Sequence, residues 1–326
     1  MAPTKPGADS AALFRERVRR VFREFPGALA GEEEPVHQVR VAGRRLRVAL
    51  PLLARKAKGR RLKRARRILN ELTRAAGTGR DLDVLVGLYE TRLGGLETPS
   101  AEQREILRRM RAARARTRAR LADGILDLDI DRLRRDLRQI RARGTADAFS
   151  ILRRTQAVRE REGATLLRRL AAVGNRYDPE ALHGLRRRVR RLRYTAEVDE
   201  VVRGAESRAS DTWKKLQDAI GALHDVHVLA GWLDRQARRA AARGDRTLAA
   251  AAKAERARFE AEGRRVHRKL LAAVPAEMAA RALRIEAPEG PKNTSAKGGP
   301  TRSSSSSDTR SPYRVAPRAY PTPTVL

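Results

Sequence analysis

Two blocks of this chain occur twice, about 145 residues apart, and a repeat limits the possible folds more tightly than composition does. Residues 36–48 read VHQVRVAGRRLRV and residues 182–194 read LHGLRRRVRRLRY. They align without gaps at an offset of 146. His37 falls on His183, Arg40 on Arg186, Arg44 on Arg190, Arg45 on Arg191, Leu46 on Leu192 and Arg47 on Arg193. A second pair follows in the same order. Residues 72–90, LTRAAGTGRDLDVLVGLYE, align with residues 216–234, LQDAIGALHDVHVLAGWLD, at an offset of 144. This places Gly77 on Gly221, Asp81 on Asp225 and Gly87 on Gly231. Two ordered blocks at nearly equal offsets predict two equivalent halves with pseudo-two-fold symmetry, which would bring both His-Arg segments into one shared site.

Each half reads as helix. From Ala11 to about Glu286, apolar residues recur at three- and four-residue spacing, as in Phe14, Val18, Val21, Phe22 and Phe25, with good helix formers between them. No β-branched run alternates with polar residues, so the predicted class is all-α. Breaks are expected at Phe25-Pro26-Gly27, before Pro35, at Gly77 and Gly79, at Gly94-Gly95, at Pro99-Ser100 and at Ala122-Asp123-Gly124. Others are expected at Gly144, Gly174-Asn175, Gly204 and Gly244, and Pro51 should kink or end its helix. The predicted layout is a disordered N-terminus over 1–10, helical halves over 11–144 and 145–286, and a disordered basic tail over 287–326. That tail, with its Ser303–Ser307 run, holds few apolar residues and cannot bury enough surface to order itself.

Charge narrows the partners. Lys+Arg number 73 against 39 Asp+Glu, a formal charge of +34. So large a surplus repels itself in a compact chain and points to a polyanion: nucleic acid, an acidic membrane surface or polyphosphate. Only 4% of residues are aromatic, which leaves few platforms for stacking single-stranded bases. There are no cysteines, so disulfides, thiolate metal sites and cysteine nucleophiles are excluded. Met1 to Ser10 lacks the apolar core of a signal segment, and no stretch approaches roughly 18 consecutive apolar residues. A cytoplasmic protein without a membrane partner is expected. No feature of the pattern fixes an oligomeric state.

The repeated block carries the chemistry. At about 100° per residue, His37, Arg40, Arg44 and Arg47 share an arc roughly 80° wide, with apolar residues on both sides. His183, Arg186, Arg190 and Arg193 repeat it. A basic row between two apolar flanks fits a groove between packed helices better than a solvated face. Arginine suits phosphate because its planar fork donates two parallel hydrogen bonds and keeps its charge. Histidine adds a donor that gains charge as pH falls through about 6.5. Arg60, Lys63, Arg67 and Arg74, with Lys214 and Lys215 in the other half, would widen the field.

Other candidates are weaker. His224 and His227 stand three apart, a possible metal pair, but their first-half counterparts are Arg80 and Asp83 and no third ligand is evident. No metal or other cofactor is implied. His267 reads as a surface residue. Asp81 and Asp225 read as helix-start caps or as partners of core arginines.

Together the blocks VHQVRVAGRRLRVAL, GTGRDLDVL, LHGLRRRVRRLRY and WKKLQDAIGALHD resemble the CHAD domain, the conserved histidine α-helical domain, over about residues 11–285. The resemblance implies two four-helix bundles related by internal pseudo-symmetry and a basic central surface that binds inorganic polyphosphate. His37 and His183 match the histidines that name the family. Arg40, Arg44, Arg45 and Arg47, with Arg186, Arg190, Arg191 and Arg193, match its basic positions. His224 and His227 stand where members more often carry Asn and a non-histidine residue. Many members also carry a triphosphate-tunnel domain. This chain has no room for one, so none of its enzymatic activity is carried over.

The favoured function is therefore non-catalytic polyphosphate binding, with polyphosphate granules as a candidate location. An α-helical nucleic-acid-binding protein is the alternative, although base readout needs a helix exposed for a groove. A metal-dependent phosphohydrolase would need clustered carboxylates or histidines around metal and water. Only the 224–227 pair points that way.

Overall fold

The computed structural model describes residues 7–173, 177–204, 209–273 and 275–285. The expected break at Gly174-Asn175 and the expected tail over 287–326 lie outside them. Among the described residues there are eleven α-helices and no strand; the one β-type pairing is an isolated antiparallel bridge between Ala54 and Thr145. The helices are α1 (Gly7–Arg23), α2 (Phe25–Leu29), α3 (Glu33–Leu53), α4 (Arg60–Leu93), α5 (Ala101–Leu126) and α6 (Ile130–Ala142). They continue as α7 (Ala148–Ala171), α8 (Pro179–Arg203), α9 (Ala209–Ala241), α10 (Arg246–Ala272) and α11 (Pro275–Ile285). No helix among the described residues is long and apolar enough to cross a membrane.

Local signals account for several helix ends. Ser100 and Gln103 form a reciprocal capping box at the start of α5, satisfying two otherwise orphaned donors. Asp129, Asp147, Asp178 and Asp245 each accept a backbone N–H in the first turn of the following helix. Gly204 closes α8 at φ 64°, a left-handed conformation that costs glycine nothing.

Three expectations fail. Pro51 is not among them: it lies within α3, which ends two residues later at Leu53. α1 starts at Gly7, inside the segment expected to be disordered. α4 runs through Gly77 and Gly79 for 34 residues, about 50 Å, and α5 runs through Gly124. A lone glycine costs a packed helix only about 1 kcal/mol, which burial of its neighbours offsets.

The apolar faces build three cores. One gathers α1, α2, α3, the first half of α4 and α6, with Leu46, Leu50, Leu53 and Leu69 fully buried. Another gathers the end of α7, most of α8, the first half of α9 and part of α11 around Trp213. The third is shared: the far half of α4 and the start of α5 pack Tyr89, Ile106 and Met110 against Leu229, Leu233 and Phe259 of α9 and α10. So α4 and α9 each leave an end core and meet in a common one. Helix order runs in parallel between the halves: α3 and α8, α4 and α9, α5 and α10, and α6 and α11 follow one another at similar lengths.

Candidate functional site

α3 packs against α8, each lying on the long helix that follows it. At the upper end of each stripe the first arginine lies over a glycine and faces an aspartate. A Cβ on Gly77 would stand 3.8 Å from Arg40 Nε, and Arg40 donates to Asp81 at 3.0 Å. A Cβ on Gly221 would stand 3.9 Å from Arg186 Nε, with Asp225 at 3.9 Å from the guanidinium. Absent side chains at 77 and 221 thus make room for two guanidiniums. Of the two readings of Asp81 and Asp225, the arginine partner holds; neither is a cap, because α4 and α9 are continuous there.

The histidines gather beside these arginines. His183 and His224 bring their rings within 5.0 Å of each other. Burial first, then Arg186, His183, His227 and Arg40, hold His224 down to about 4. Burial and the charges of Arg187, Arg186, Arg190 and His227 also lower His183. Arg40 comes from α3, so charges of both stripes act on one imidazole. Among the described residues, no group of three or more His, Asp or Glu could hold a metal ion. His267 is buried, not exposed as its sequence context suggested: its ring lies 5.6 Å from that of Tyr177, and burial lowers its pKa.

Further along, the two stripes open into a cleft of about 460 Å³. α3 supplies Arg44 and Arg47, α4 supplies Lys63, Arg66, Arg67 and Asn70, and α8 supplies Arg187, Arg190 and Arg191. No Asp or Glu among the described residues lines it. Burial pulls the Arg44 guanidinium down to about 9, with Arg190, Arg40 and Arg186 pushing the same way. Burial takes Arg190 down to about 10, opposed by Tyr194 and reinforced by Arg186, Arg40 and Arg47. Both remain charged at neutral pH, in a cleft that desolvates them and crowds them with like charge. Arg47 donates to Asn70, while burial and the nearby Arg66 and Arg191 lower it.

Eight sequence candidates do not line the cleft: His37, Arg40, His183 and Arg186 lie toward the start of their helices, before it, and four others turn away from it. Arg45 and Arg193 turn to Glu197, at 3.0 and 3.6 Å, and both lie over the Tyr194 ring, at 5.5 and 6.0 Å. Arg17 from α1 completes that cluster at 2.8 Å from Glu197. Lys214 and Lys215 are exposed on α9; Lys214 and Arg193 act on Asp218, also exposed on α9, rather than on the cleft. Of the helix α4 pair named only as an extension, Arg74 is exposed and Arg60 lines a different recess. Conversely, Arg66 and Arg187 line the cleft without having been singled out. The signal was there: Lys63, Arg66, Arg67 and Asn70 share a face of α4, and Arg187, Arg190, Arg191 and Tyr194 share one of α8.

Comparison with known proteins puts this arrangement in context. The CHAD domain family model matches residues 12–234. The crystal structure of the CHAD domain from the plant Ricinus communis superposes with a TM-score of 0.56 at 21% identity, covering 83% of this chain and 97% of that one. At that identity the likeness speaks for the fold alone. No curated protein sequence matches the chain.

Proposed function

The chain belongs to the CHAD domain family, and we propose that its central cleft binds inorganic polyphosphate without turning it over. One observation carries this reading. Arg44 and Arg190 stand half-buried with like charges around them, in a cleft that no described carboxylate lines. Free, such a site is strained electrostatically; a polyanion relieves it, and a forked donor binds phosphate oxygens two at a time. The cleft fits a slim chain. Its one aromatic residue, Tyr194, is 6% exposed and covered by Arg45 and Arg193, so it offers no face for stacking a base. α3 and α8 are packed on their neighbours, and neither stands clear to enter a duplex groove. The two stripes, read as copies of one ancestral helix, supply the two walls.

Competition tests this directly. Polyphosphate should displace the protein from duplex DNA at least about tenfold better, per phosphate, at roughly 150 mM salt, where loose charge-driven binding fades. Equal competition per phosphate would instead favour a general nucleic-acid binder.

A further inference from the structure

The turn between α3 and α4 holds a second basic recess, of about 710 Å³, that shares no lining residue with the central cleft. Its two walls come from distant parts of the chain. The sequence RKAKGRR over 55–61 supplies Lys56, Lys58 and Arg60 on one side. α6 supplies Arg132 and Arg135 on the other, joined by Arg143, the residue at its C-terminal cap. None of these six has a carboxylate partner among the described residues. The one carboxylate in the lining, Asp136, is already neutralised: Arg64 grips it with two hydrogen bonds of 2.6 Å, and its side chain is 2% exposed.

This recess is held in shape. Ala146 N–H donates to Leu53 O at 2.8 Å and Arg55 N–H to Gly144 O at 3.2 Å, tying the turn to the connection between α6 and α7. The Arg154 guanidinium donates to the carbonyls of Leu52, Ala54 and Arg55, at 3.0, 2.7 and 3.1 Å, and so caps the end of α3. A pinned turn presents its cations without having to order them on binding, which favours affinity. No aromatic residue among the described residues lines the recess, so it offers charge and hydrogen-bond donors rather than a platform for a base.

We propose that this elbow is a second phosphate-chain site, independent of the central cleft and accepting a short run of linked phosphates between its two cationic walls. It rests on the proposed function only for the class of ligand. With two sites on one chain, a long polyphosphate would be held bivalently or would bridge molecules.

Calorimetric titration of the full chain with tripolyphosphate, at roughly 150 mM salt, tests it. About two tripolyphosphates should bind per wild-type chain, and about one to Lys56→Glu/Arg60→Glu/Arg135→Glu. All three positions are exposed, so the helical signal should be unchanged by circular dichroism. The cleft variant Arg44→Glu/Arg190→Glu should still bind about one, at the elbow. A control with the same charge change on exposed α5 positions, Arg104→Glu/Arg116→Glu/Arg120→Glu, should keep both. The elbow is overturned if its variant keeps wild-type stoichiometry, if the control loses as much as it does, or if the cleft variant binds none. If the elbow variant loses all binding and the cleft variant loses none, the elbow stands and the central cleft is the reading that fails.

Discussion

On α3, Arg45 turns to Glu197 and Arg47 into the cleft; on α8 the matching pair does the reverse, Arg191 lining the cleft and Arg193 turning to Glu197. At the upper end the stripes agree closely, with Arg40 over Gly77 beside Asp81 and Arg186 over Gly221 beside Asp225. The divergence has a physical cause. Glu197 lies 146 residues after Pro51, so only the second half carries a carboxylate at that place. It draws in Arg17, Arg45 and Arg193 at once. Arg191 is held instead by Glu162 of α7, at 2.9 Å. A repeat in sequence therefore gives a site that is paired at one end and asymmetric at the other, and the carboxylates decide which arginines face a ligand.

The largest effects should follow that division. Arg44→Gln and Arg190→Gln should each weaken polyphosphate binding about 10- to 100-fold at roughly 150 mM salt, the value of losing charge-assisted contacts in a desolvated cleft. Arg45→Gln and Arg193→Gln, at equivalent positions of the motif but neutralised by Glu197, should change it less than about threefold. Titration of the four variants, with circular dichroism to establish folding, separates the two groups. Equal losses in all four would mean that family motif positions, not the cleft geometry, define the site.

Much of this was legible in the sequence and some was not, for reasons specific to particular residues. The all-helical class follows from three- and four-residue spacing, and the matched Arg, Gly and Asp of the two blocks do meet in space. Gly77 was misread as a break because its role, making room for the Arg40 guanidinium, depends on a helix 37 residues earlier in the chain. Arg193 lies on the stripe by helical geometry and Arg45 is a site position only through the family resemblance; neither shows that both turn to Glu197, which lies outside either block. Arg66 and Arg187 went unnoticed because they sit beside the stripe, and only the crossing of α3, α4 and α8 turns that flank inward. His267 looked solitary, yet it packs against Tyr177, a partner 90 residues before it.

Stability should move oppositely to binding at the cleft. The folded-state pKa of Arg44, about 9, lies below the ordinary guanidinium range, so the unfolded chain binds the proton more readily and the charged form disfavours folding. Stability of the free protein should therefore rise as pH climbs from about 9 toward 12. At pH 7, Arg44→Met should raise the melting temperature by about 1–4 °C while weakening binding at the cleft, and Arg190→Met should raise it less, because its guanidinium is held down only to about 10. Arg193→Met should give no such gain, since it leaves Glu197 with fewer partners. Thermal melts of the three variants read this, and an Arg44→Met protein less stable than wild type would show that Arg44 holds the fold together.

The smallest effect concerns protons, and it too distinguishes the halves. His224 has no histidine counterpart in the first half, where Arg80 takes its place, so the imidazole pair with His183 belongs to α8 and α9 alone. In the free protein burial and the surrounding Arg186, His183, His227 and Arg40 hold His224 down to about 4, and similar causes lower His183. Both are thus largely neutral at pH 7. A bound polyanion opposes those cations and raises both pKa values, so binding takes up protons and affinity must rise as pH falls. The rise begins at the pKa values of the complex and ends only near those of the free protein. It should continue below pH 6 and not level off there, as it would for histidines titrating near 6.5. The internal phosphates of the chain stay ionised across this range and do not mask the trend. Affinity measured at pH 8, 6 and 5 should increase at each step by about threefold or more in wild type, and clearly less in His183→Asn/His224→Asn. A double variant with the wild-type profile would place the titrating groups elsewhere and make the imidazole pair a feature of packing alone.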